Sequence, residues 1–387
     1  MLILKILFKN AFRNKLRTGL TLLGITIAIL AFGLLRTVIS AWYSGVEASS
    51  ATRLITRNSV SIIFPLPLSY RDRIRQVNGV KRVSYGTWFG GVYIDEKNFF
   101  PNFAVDPETF LDLYPEFILA PEQREAFLKD RKGFVAGRKL IERYGWKVGD
   151  IVALKGLIFF GDWDFVLRGV YRGREKNTDE TQFFFHWTYL NETLKKRMAY
   201  HPWVDQVGYY IVDVTRPEVG AQVAAGIDGL FKNSLAETLT ETEKAFQQGF
   251  VAMSGAIITV IQIVSLVVIF IILAVVANTM AMTTRERIGE YAVLKTLGFG
   301  RRYIGGLIFG ESLVITMLGC ALGIVATFPA AQVFRNALGM YFPNFNVELK
   351  TLYLDLVAAG IVAVGAAIIP TTRAVQIRIA DGLRRIG

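Results

Sequence analysis

Cysteine and histidine are almost absent from this chain of 387 residues. Its one cysteine, Cys320, excludes a disulfide within the chain, and the two histidines, His186 and His201, leave too few ligands for a zinc site of His and Cys. A phosphate-binding loop of the form G-x-x-x-x-G-K-[ST] does not occur either. Because no nucleophile–base pair or pair of catalytic carboxylates stands out, we expect no enzyme activity, no metal and no cofactor in this chain by itself.

Acidic residues are scarce beside the apolar segments, and this scarcity produces the net charge of +12. Residues 1–42 contain six Lys or Arg and no acid, residues 43–250 contain 27 basic and 26 acidic residues, and residues 251–387 contain 11 and six. A nucleic-acid-binding protein would carry a basic face outside such segments. The distribution is typical of a membrane protein with basic cytoplasmic loops, so we expect membrane lipids and no nucleic acid as partners.

Four apolar runs are long enough to cross a bilayer. They predict transmembrane spans over residues 18–42, 251–282, 303–334 and 352–370, the last of them ended by Pro370, which cannot continue a helix. The first run has a signal peptide as its alternative. Since it is long for a signal peptide and no small-residue cleavage pattern follows it cleanly, the sequence favours an uncleaved span.

The basic residues also predict the orientation of these spans. They concentrate in residues 1–17, 283–302 and 371–387, whereas the loop 335–351 has only two. By the positive-inside rule both termini and the loop 283–302 are cytoplasmic, and residues 43–250 and 335–351 lie outside. The four basic residues Lys5, Lys9, Arg13 and Arg17 recur at helical spacing, which predicts an amphipathic helix over 1–17 on the anionic inner leaflet; plain topology charge explains them equally well.

The large segment 43–250 has the pattern of an α+β domain. Short strand patterns such as Gly90–Ile94 and Ile151–Lys155 alternate with short helix patterns such as Arg138–Tyr144. Aromatic clusters, for example Phe183–Phe185, are core residues in one interpretation and a lipid- or protein-binding surface in the other. The fold class predicted for the whole chain is four transmembrane α-helices plus a large α+β extracytoplasmic domain.

Apolar residues spaced by three or four predict one long helix that leads from this domain into the second span. We interpret it as a stalk that packs on the continuation of the first span; an ordinary domain helix is the alternative. The residues expected to pack in the stalk are Phe231, Leu235, Leu239 and Phe246.

The cytoplasmic loop after the second span predicts a short helix over Arg285–Leu297, with Gly298 and Gly300 as stop signals. A helix held between two spans is a suitable contact for a partner protein, and a surface loop that only fixes topology is the alternative. Its candidate contact residues are Arg285, Glu286, Arg287, Ile288, Glu290, Tyr291, Leu294 and Lys295.

Glu311 is an acidic residue well inside the third span. It could pair across a dimer or with a basic residue at the inner surface, or simply pack near the interface. Small residues spaced by four, such as Gly319 and Gly323, predict close helix contacts, either within one subunit or between two.

Two stretches resemble the FtsX-like permease family, which includes the MacB exporter and the lipoprotein-releasing permeases. Residues 285–298 match R-x-R-x-G-E-x-x-x-L-[RK]-x-[LI]-G, and residues 10–25 match N-x-x-R-N-K-x-R-T-x-L-T-x-L-G-I. Asn78-Gly79-Val80 and Val148-Gly149-Asp150 are similar to segments of the family's periplasmic core domain. The order of spans and large domain also matches, so the resemblance covers nearly the whole chain.

The resemblance implies a permease subunit of an ABC transporter in a bacterial inner membrane, with residues 43–250 periplasmic. Two copies of a separate ATPase, which would hold ATP and Mg²⁺, are expected on the loop 283–302. A second permease subunit, identical or not, and a periplasmic adaptor are further implied partners. ATP hydrolysis would move the periplasmic domains by mechanotransmission and drive export or extraction of a hydrophobic or envelope substrate. The alternative is a signalling module of the FtsX type that regulates a periplasmic partner such as a cell-wall hydrolase.

Overall fold

A computed structural model describes residues 2–175, 177–197, 201–338, 342 and 344–376. Its residues divide into two compact units. The first, here called the helical unit, comprises Met1–Ala41, Ser254–Gly339 and Phe345–Gly387. The second, here called the sheet domain, comprises Trp42–Met253 and Met340–Asn344.

Four helices are long and apolar enough to cross a membrane, which agrees with the four predicted spans. Three of them are longer than the predicted spans, the second has the predicted length but begins four residues later, at Gly255, and the last one continues through Pro370 to Gln376. The predicted end at Pro370 is therefore wrong; membrane helices accept an internal proline because neighbouring helices can compensate for the lost hydrogen bond. The four long helices are α2 (Lys15–Ala48), α10 (Gly255–Glu286), α12 (Arg301–Leu338) and α13 (Leu349–Gln376); the shorter α1 (Leu2–Ala11) and α11 (Ile288–Thr296) belong to the same unit.

Small residues bring the long helices together. A Cβ atom added to Gly319 or Gly323 would lie 2.6 Å from Ile25 or 2.7 Å from Ile29, so α2 and α12 approach closely at these glycines. On α13 a row of alanines is buried, and the Ser312 hydroxyl of α12 donates a 2.9 Å hydrogen bond to the Ala363 carbonyl. These contacts lie within one subunit, as expected where packing and hydrogen bonds replace the hydrophobic effect.

The sheet domain is built around one mixed sheet. Its strands run in the order β13-β1-β12-β3-β5-β10-β7-β9-β8-β4, with β6 attached to β9, and β2 pairs separately with β11. The pairs β5–β10 and β7–β9 are parallel and the other pairs are antiparallel. The strands are β1 (Arg53–Asn58), β2 (Leu66–Pro67), β3 (Val80–Trp88), β4 (Gly91–Val92), β5 (Asn102–Val105), β6 (Phe117–Ile118), β7 (Gly133–Gly137), β8 (Ile151–Gly156), β9 (Gly161–Gly173), β10 (Phe183–His186), β11 (Gln206–Val207), β12 (Tyr209–Val214) and β13 (Thr238–Thr242).

Among its described residues the domain also has seven short helices, so the predicted α+β class is confirmed. They are α3 (Tyr70–Arg75), α4 (Phe110–Leu113), α5 (Pro121–Lys129), α6 (Arg138–Tyr144), α7 (Trp187–Arg197), α8 (Gly220–Leu230) and α9 (Glu243–Met253), with 3₁₀ turns at Glu96–Asn98 and Pro217–Val219.

Most of the aromatic clusters form the core of this domain. Phe134, Phe165 and Phe183 are fully buried, and the rings of Phe134 and Phe183 stack with centroids 4.0 Å apart. Each such ring buries a large apolar surface, so these contacts contribute much of the hydrophobic stabilisation. Phe160 differs from its neighbours, because 75% of it is exposed.

The long stalk helix predicted before the second span is wrong. Phe231 is buried and stacks on Tyr70 at 3.8 Å, Leu235 is fully exposed, and Leu239 lies on the edge strand β13. Of the four residues only Phe246 lies on a helix, α9, where it packs against the sheet domain's core. The sequence Thr-Leu-Thr-Glu-Thr carries β-branched residues at every second position, which favours a strand over a helix.

Candidate functional site

Helix α11 corresponds to the short helix predicted over Arg285–Leu297, but that prediction is wrong at its start: α10 continues through Glu286, and α11 begins only at Ile288. The end of α11 shows a specific cap. Gly298 has a left-handed φ of 88°, and its N–H binds the Lys295 carbonyl while the Phe299 N–H binds the Leu294 carbonyl at 3.0 Å. This pair of bonds is a Schellman motif, which glycine favours because it has no Cβ. One face of the helix is buried, through Tyr291 and Ala292.

Arg287 stands at the junction of α10 and α11 and binds two carboxylates. Its Nε donates to Glu290 at 2.9 Å and its Nη1 donates to Glu311 at 2.7 Å, while its guanidinium lies 5.4 Å from the Tyr291 ring centre. The Arg287 and Glu311 side chains are 9% and 3% exposed, so this pair is buried. Glu311 thus pairs within the subunit with a basic residue, which was one of its predicted alternatives.

The N-terminal arginines bind the same loop. Arg17 makes two hydrogen bonds to Glu286, at 2.6 and 3.0 Å, and Arg13 forms an ion pair with Glu290. We call this set the loop network; its members are Arg13, Arg17, Glu286, Arg287, Glu290 and Glu311.

The single amphipathic helix predicted over residues 1–17 is wrong. Helix α1 ends at Ala11 and α2 begins at Lys15, so Arg13 lies in a turn between two helices.

Electrostatics favour the ionised form of Glu290 in the loop network. Burial alone would raise the pKa of Glu290, but the hydrogen bonds from Arg13 and Arg287 outweigh it and keep that pKa below its usual value. A cavity of about 170 Å³ lies beside the network, between the first turns of α2 and the ends of α10 and α12. The arrangement can hold helices together through charge; it contains no group placed for chemistry on a substrate.

The other predicted contact residues of α11 have different surroundings. Arg285 is exposed, Ile288 is half-buried, and Leu294 packs against the helical unit's core. Lys295 donates a 2.9 Å hydrogen bond to the Val375 carbonyl of α13. The structure therefore brings together Glu286, Arg287, Glu290 and Glu311, and it leaves Arg285 outside this cluster.

An exposed apolar tip lies at the end of α11. Its three members, Val293, Leu297 and Phe299, are 42%, 69% and 41% exposed, and the exposed Arg301 and Arg302 follow directly. Sequence reasoning assigned the contact face to other residues of the helix. The signal that could have located the tip is the pair Leu297 and Phe299 around the Gly298 stop, since apolar residues that flank a helix cap outside a core need a partner.

A second charged cluster, in the sheet domain, was not predicted at all. Arg53 of β1 is 5% exposed and donates to Glu243 at 2.9 Å, to Glu116 at 2.6 and 3.1 Å and to the Leu113 carbonyl at 2.8 Å. Its guanidinium also lies 4.2 Å from the Tyr114 ring centre. We call Arg53, Glu116 and Glu243 the Arg53 joint.

The Arg53 joint connects the two ends of the sheet domain's chain. Glu243 is the first residue of α9, and its carboxylate also accepts a 2.8 Å hydrogen bond from the Ser50 N–H, two residues after α2 ends. A Cβ atom on Gly45 of α2 would lie 3.4 Å from Gln247 of α9, so the two helices touch there. No local sequence signal links Arg53 to partners 63 and 190 residues away.

Comparison with known proteins shows what this chain is similar to. A model of the FtsX-like permease C-terminal domain matches residues 262–379. An uncharacterized ABC transporter permease of Methanocaldococcus jannaschii is 23% identical over 97% of this chain and 96% of its own length. The ABC transporter permease YtrF of Bacillus subtilis is 26% identical over 28% of each chain.

Three solved domains are similar to roughly half of the chain. The extracellular domain of the ABC-type transporter YknZ from Gram-positive bacteria is 10% identical, with a TM-score of 0.36 over 49% of this chain and 100% of its own. The periplasmic region of MacB from Actinobacillus actinomycetemcomitans is 9% identical, with a TM-score of 0.37 over 53% and 95%. A domain of a putative permease from Porphyromonas gingivalis is 16% identical, with a TM-score of 0.33 over 50% and 90%.

The family match includes most of α10 and all of α11, α12 and α13, and the relative from M. jannaschii aligns along nearly the full length. These findings confirm the resemblance seen in the sequence motifs. The chain is a membrane protein whose residues 262–379 match the FtsX-like permease C-terminal domain, and it is similar along nearly its full length to an ABC transporter permease.

Proposed function

We propose that this permease couples ATP hydrolysis by a separate ATPase subunit to movement of its sheet domain, and thereby drives export or extraction of a hydrophobic or envelope substrate. The observation that carries the proposal is the exposed apolar tip at the end of α11, beside Arg301 and Arg302. An apolar centre with a charged rim is the composition of a protein–protein contact. The ATPase, two copies of it, would hold ATP and Mg²⁺.

The docking face on α11 is then Val293, Leu297 and Phe299. Tyr291 is 2% exposed, and Glu290 already binds Arg13 and Arg287, which supports a structural role for these two residues. A docked ATPase would push on a loop that the loop network ties to α2, to the turn before it and to α12. We propose that these ion pairs transmit the force from the ATPase to the long helices.

Two segments would transmit the motion to the sheet domain. Helix α2 continues without interruption from Lys15 to Ala48, and α10 follows α9 after Ser254. The Arg53 joint binds the end of α2 and the start of α9 to β1. The proposed motion would reach the sheet domain through these two helices.

The proposed topology follows the basic residues. Both termini and α11 would be cytoplasmic, and the sheet domain would lie outside the cell membrane, in the periplasm if the cell has one. A second permease subunit and, for export, an adaptor on the sheet domain complete the proposed assembly. Protease added to intact spheroplasts should cut the sheet domain and leave α11 protected; cleavage within α11 alone would reverse the orientation.

The docking proposal is tested by charge introduced at the tip. Leu297→Asp should remove an apolar contact at the centre of the interface. We expect the binding free energy to weaken by ~2 kcal/mol, which lowers the affinity for the ATPase about 30-fold. The measurement is the ATPase that co-purifies with the full-length permease in mild detergent. Leu235→Asp is the matched control, because Leu235 is also an exposed leucine but lies in the sheet domain.

The outcomes separate the proposal from its alternative. Loss of the ATPase with Leu297→Asp but not with Leu235→Asp supports docking at the tip. Equal recovery of ATPase from both variants would refute it. If the ATPase docks at the tip but the permease co-purifies with a cell-wall hydrolase and moves no substrate, the protein is a signalling module and not a transporter.

A further inference from the structure

Asp355 is a buried acid inside one of the four long apolar helices. It is the seventh residue of α13, roughly 9 Å along the helix from Leu349 at 1.5 Å per residue, and its exposure is 0%. Ionisable residues at such positions are costly and are functional by default. The proposed coupling mechanism makes no use of it.

Three helices of the helical unit surround the Asp355 side chain. A Cβ atom placed on Gly33 of α2 would lie 3.3 Å from Asp355 Oδ2 and also 3.3 Å from Thr327 Oγ1 of α12. The absent side chain of Gly33 thus leaves one space that a carboxylate and a hydroxyl oxygen both face. Thr327 is fully buried and donates its proton to the Gly323 carbonyl at 2.8 Å, so its oxygen lone pairs remain available.

Within the described part of the chain, neither carboxylate oxygen of Asp355 has a hydrogen-bond partner. The Cys320 thiol of α12 donates to the Asp355 backbone carbonyl, at 3.7 Å, and not to its carboxylate. Glu311 shows the contrast, because its buried carboxylate receives Arg287. A buried charge without a partner is strongly unfavourable, so the Asp355 carboxylate needs a positive occupant.

We propose that Asp355 and Thr327 form a binding site for a small monovalent cation, a proton or Na⁺, between α2, α12 and α13. One carboxylate matches one positive charge. Among the described residues no group of three or more His, Cys, Asp or Glu could hold a metal ion, which disfavours a divalent cation. Occupancy neutralises the site and lets three helices meet around it; the proposal is independent of the ATPase contact.

The first test measures stability of the full-length permease in detergent. A ligand that binds only the folded state raises the midpoint of thermal unfolding, so Na⁺ at constant ionic strength, against choline, should raise Tm by about 2 °C or more if Na⁺ is the occupant. If the occupant is a proton, acidification between about pH 8 and pH 5 should raise Tm instead. Asp355→Asn should lose either response, because the amide is neutral and of the same shape.

Two further variants make the test specific. Asp164→Asn removes an exposed carboxylate of β9 and should keep the wild-type response. Gly33→Ala fills the space before Asp355 and should abolish a Na⁺ response but retain a proton response, which distinguishes the two occupants. A response to neither cation in the wild type, or an equal response in wild type and Asp355→Asn, would overturn the proposal.

A second measurement does not depend on the folding of any variant. A hydrophobic carbodiimide modifies protonated carboxyls, and mass spectrometry can locate the adduct on Asp355 of the wild-type permease. We expect labelling that falls several-fold with added Na⁺, or with rising pH if the proton is the occupant. Labelling of Asp355 that changes with neither cation would mean that its partner is permanent and that no exchangeable cation binds there.

Discussion

The two units each place an arginine between two glutamates, but they enclose it differently. In the sheet domain, Arg53 is 6% exposed at its side chain, and its partners Glu116 and Glu243 are 24% and 8% exposed. In the helical unit, Arg287 is 9% exposed, with Glu311 at 3% and Glu290 at 43%. The first cluster is closed, whereas the second is open on the Glu290 side.

The open side is where the N-terminal turn reaches the loop. Arg13, which binds Glu290, is 63% exposed, and Arg17, which binds Glu286, is 30% exposed. Exposed ion pairs are weak and are screened by salt, while a buried pair is strongly destabilised when one partner is removed. The Arg53 joint therefore resists rearrangement, and the outer half of the loop network can exchange partners at little cost. The Arg53 joint is thus suited to hold its elements rigidly, and the outer half of the loop network is suited to change its contacts.

The largest effect is expected at the Arg53 joint. Arg53→Met removes the only cation that faces Glu243 and Glu116 in the contacts recorded there and should destabilise the sheet domain by about 3–5 kcal/mol. Chemical unfolding of the full-length permease, followed by the fluorescence of buried tryptophans such as Trp163, measures the change. Arg57→Met is the control: its pair with Glu241 is 22% and 25% exposed, so its loss should be well below that of Arg53.

A smaller effect is expected at the buried half of the loop network. Arg287→Met leaves Glu311 without its cation inside the helical unit and should cost ~3 kcal/mol, seen as a lower thermal unfolding midpoint in detergent. Adding Glu311→Met should restore most of the stability, because a buried ion pair can often be replaced by apolar residues. If the double variant is as unstable as the single one, the two residues do not act as a pair.

Local patterns in the sequence predicted the elements whose signals are local. The four spans, α6 over Arg138–Tyr144, and the stop of α11 at Gly298 all follow from apolar runs, short helix patterns or single residues. The prediction of a stalk helix was wrong. Apolar residues spaced by three and four favoured a helix, but the threonines at every second position of β13 favour a strand, and this segment pairs with β1.

The partners within the two charged clusters could not be predicted in the same way. Arg13 and Arg17 have the spacing of a membrane-surface helix in the sequence. In the fold they bind Glu290 and Glu286, which are 277 and 269 residues away along the chain. Glu311 was singled out because it is an acid inside an apolar run, yet nothing in that run names Arg287 as its partner. Long-range charge pairing depends on how helices pack, and a single sequence does not contain that information.

Packing gives a third way to sharpen the comparison. In the helical unit Gly319 lies directly against a neighbouring helix, so a larger side chain there is the disruptive change. Gly319→Leu should drive α12 off Ile25 and cost about 1–3 kcal/mol, whereas Gly306→Leu should cost little, because nothing lies within 4 Å of a Cβ there. Thermal unfolding in detergent compares the two; equal losses would show that α2 and α12 do not meet at Gly319.

The smallest effect on stability is expected at the exposed half of the loop network, and it is the most informative about function. Arg13→Gln and Arg17→Gln should each change the unfolding free energy by only about 0–1 kcal/mol, and less at high salt, since both pairs are solvent-exposed. If Glu290 and Glu286 exchange partners when the ATPase docks, the same variants should still alter how ATPase activity of the assembled complex responds to salt.

Lys9→Gln is the control for these variants, because Lys9 carries the same charge on α1 and has no ion pair in the contacts described for that helix. A salt response unchanged by Arg13→Gln and Arg17→Gln together would mean that the open side of the network is a passive contact, and the contrast with the Arg53 joint would then be one of exposure alone.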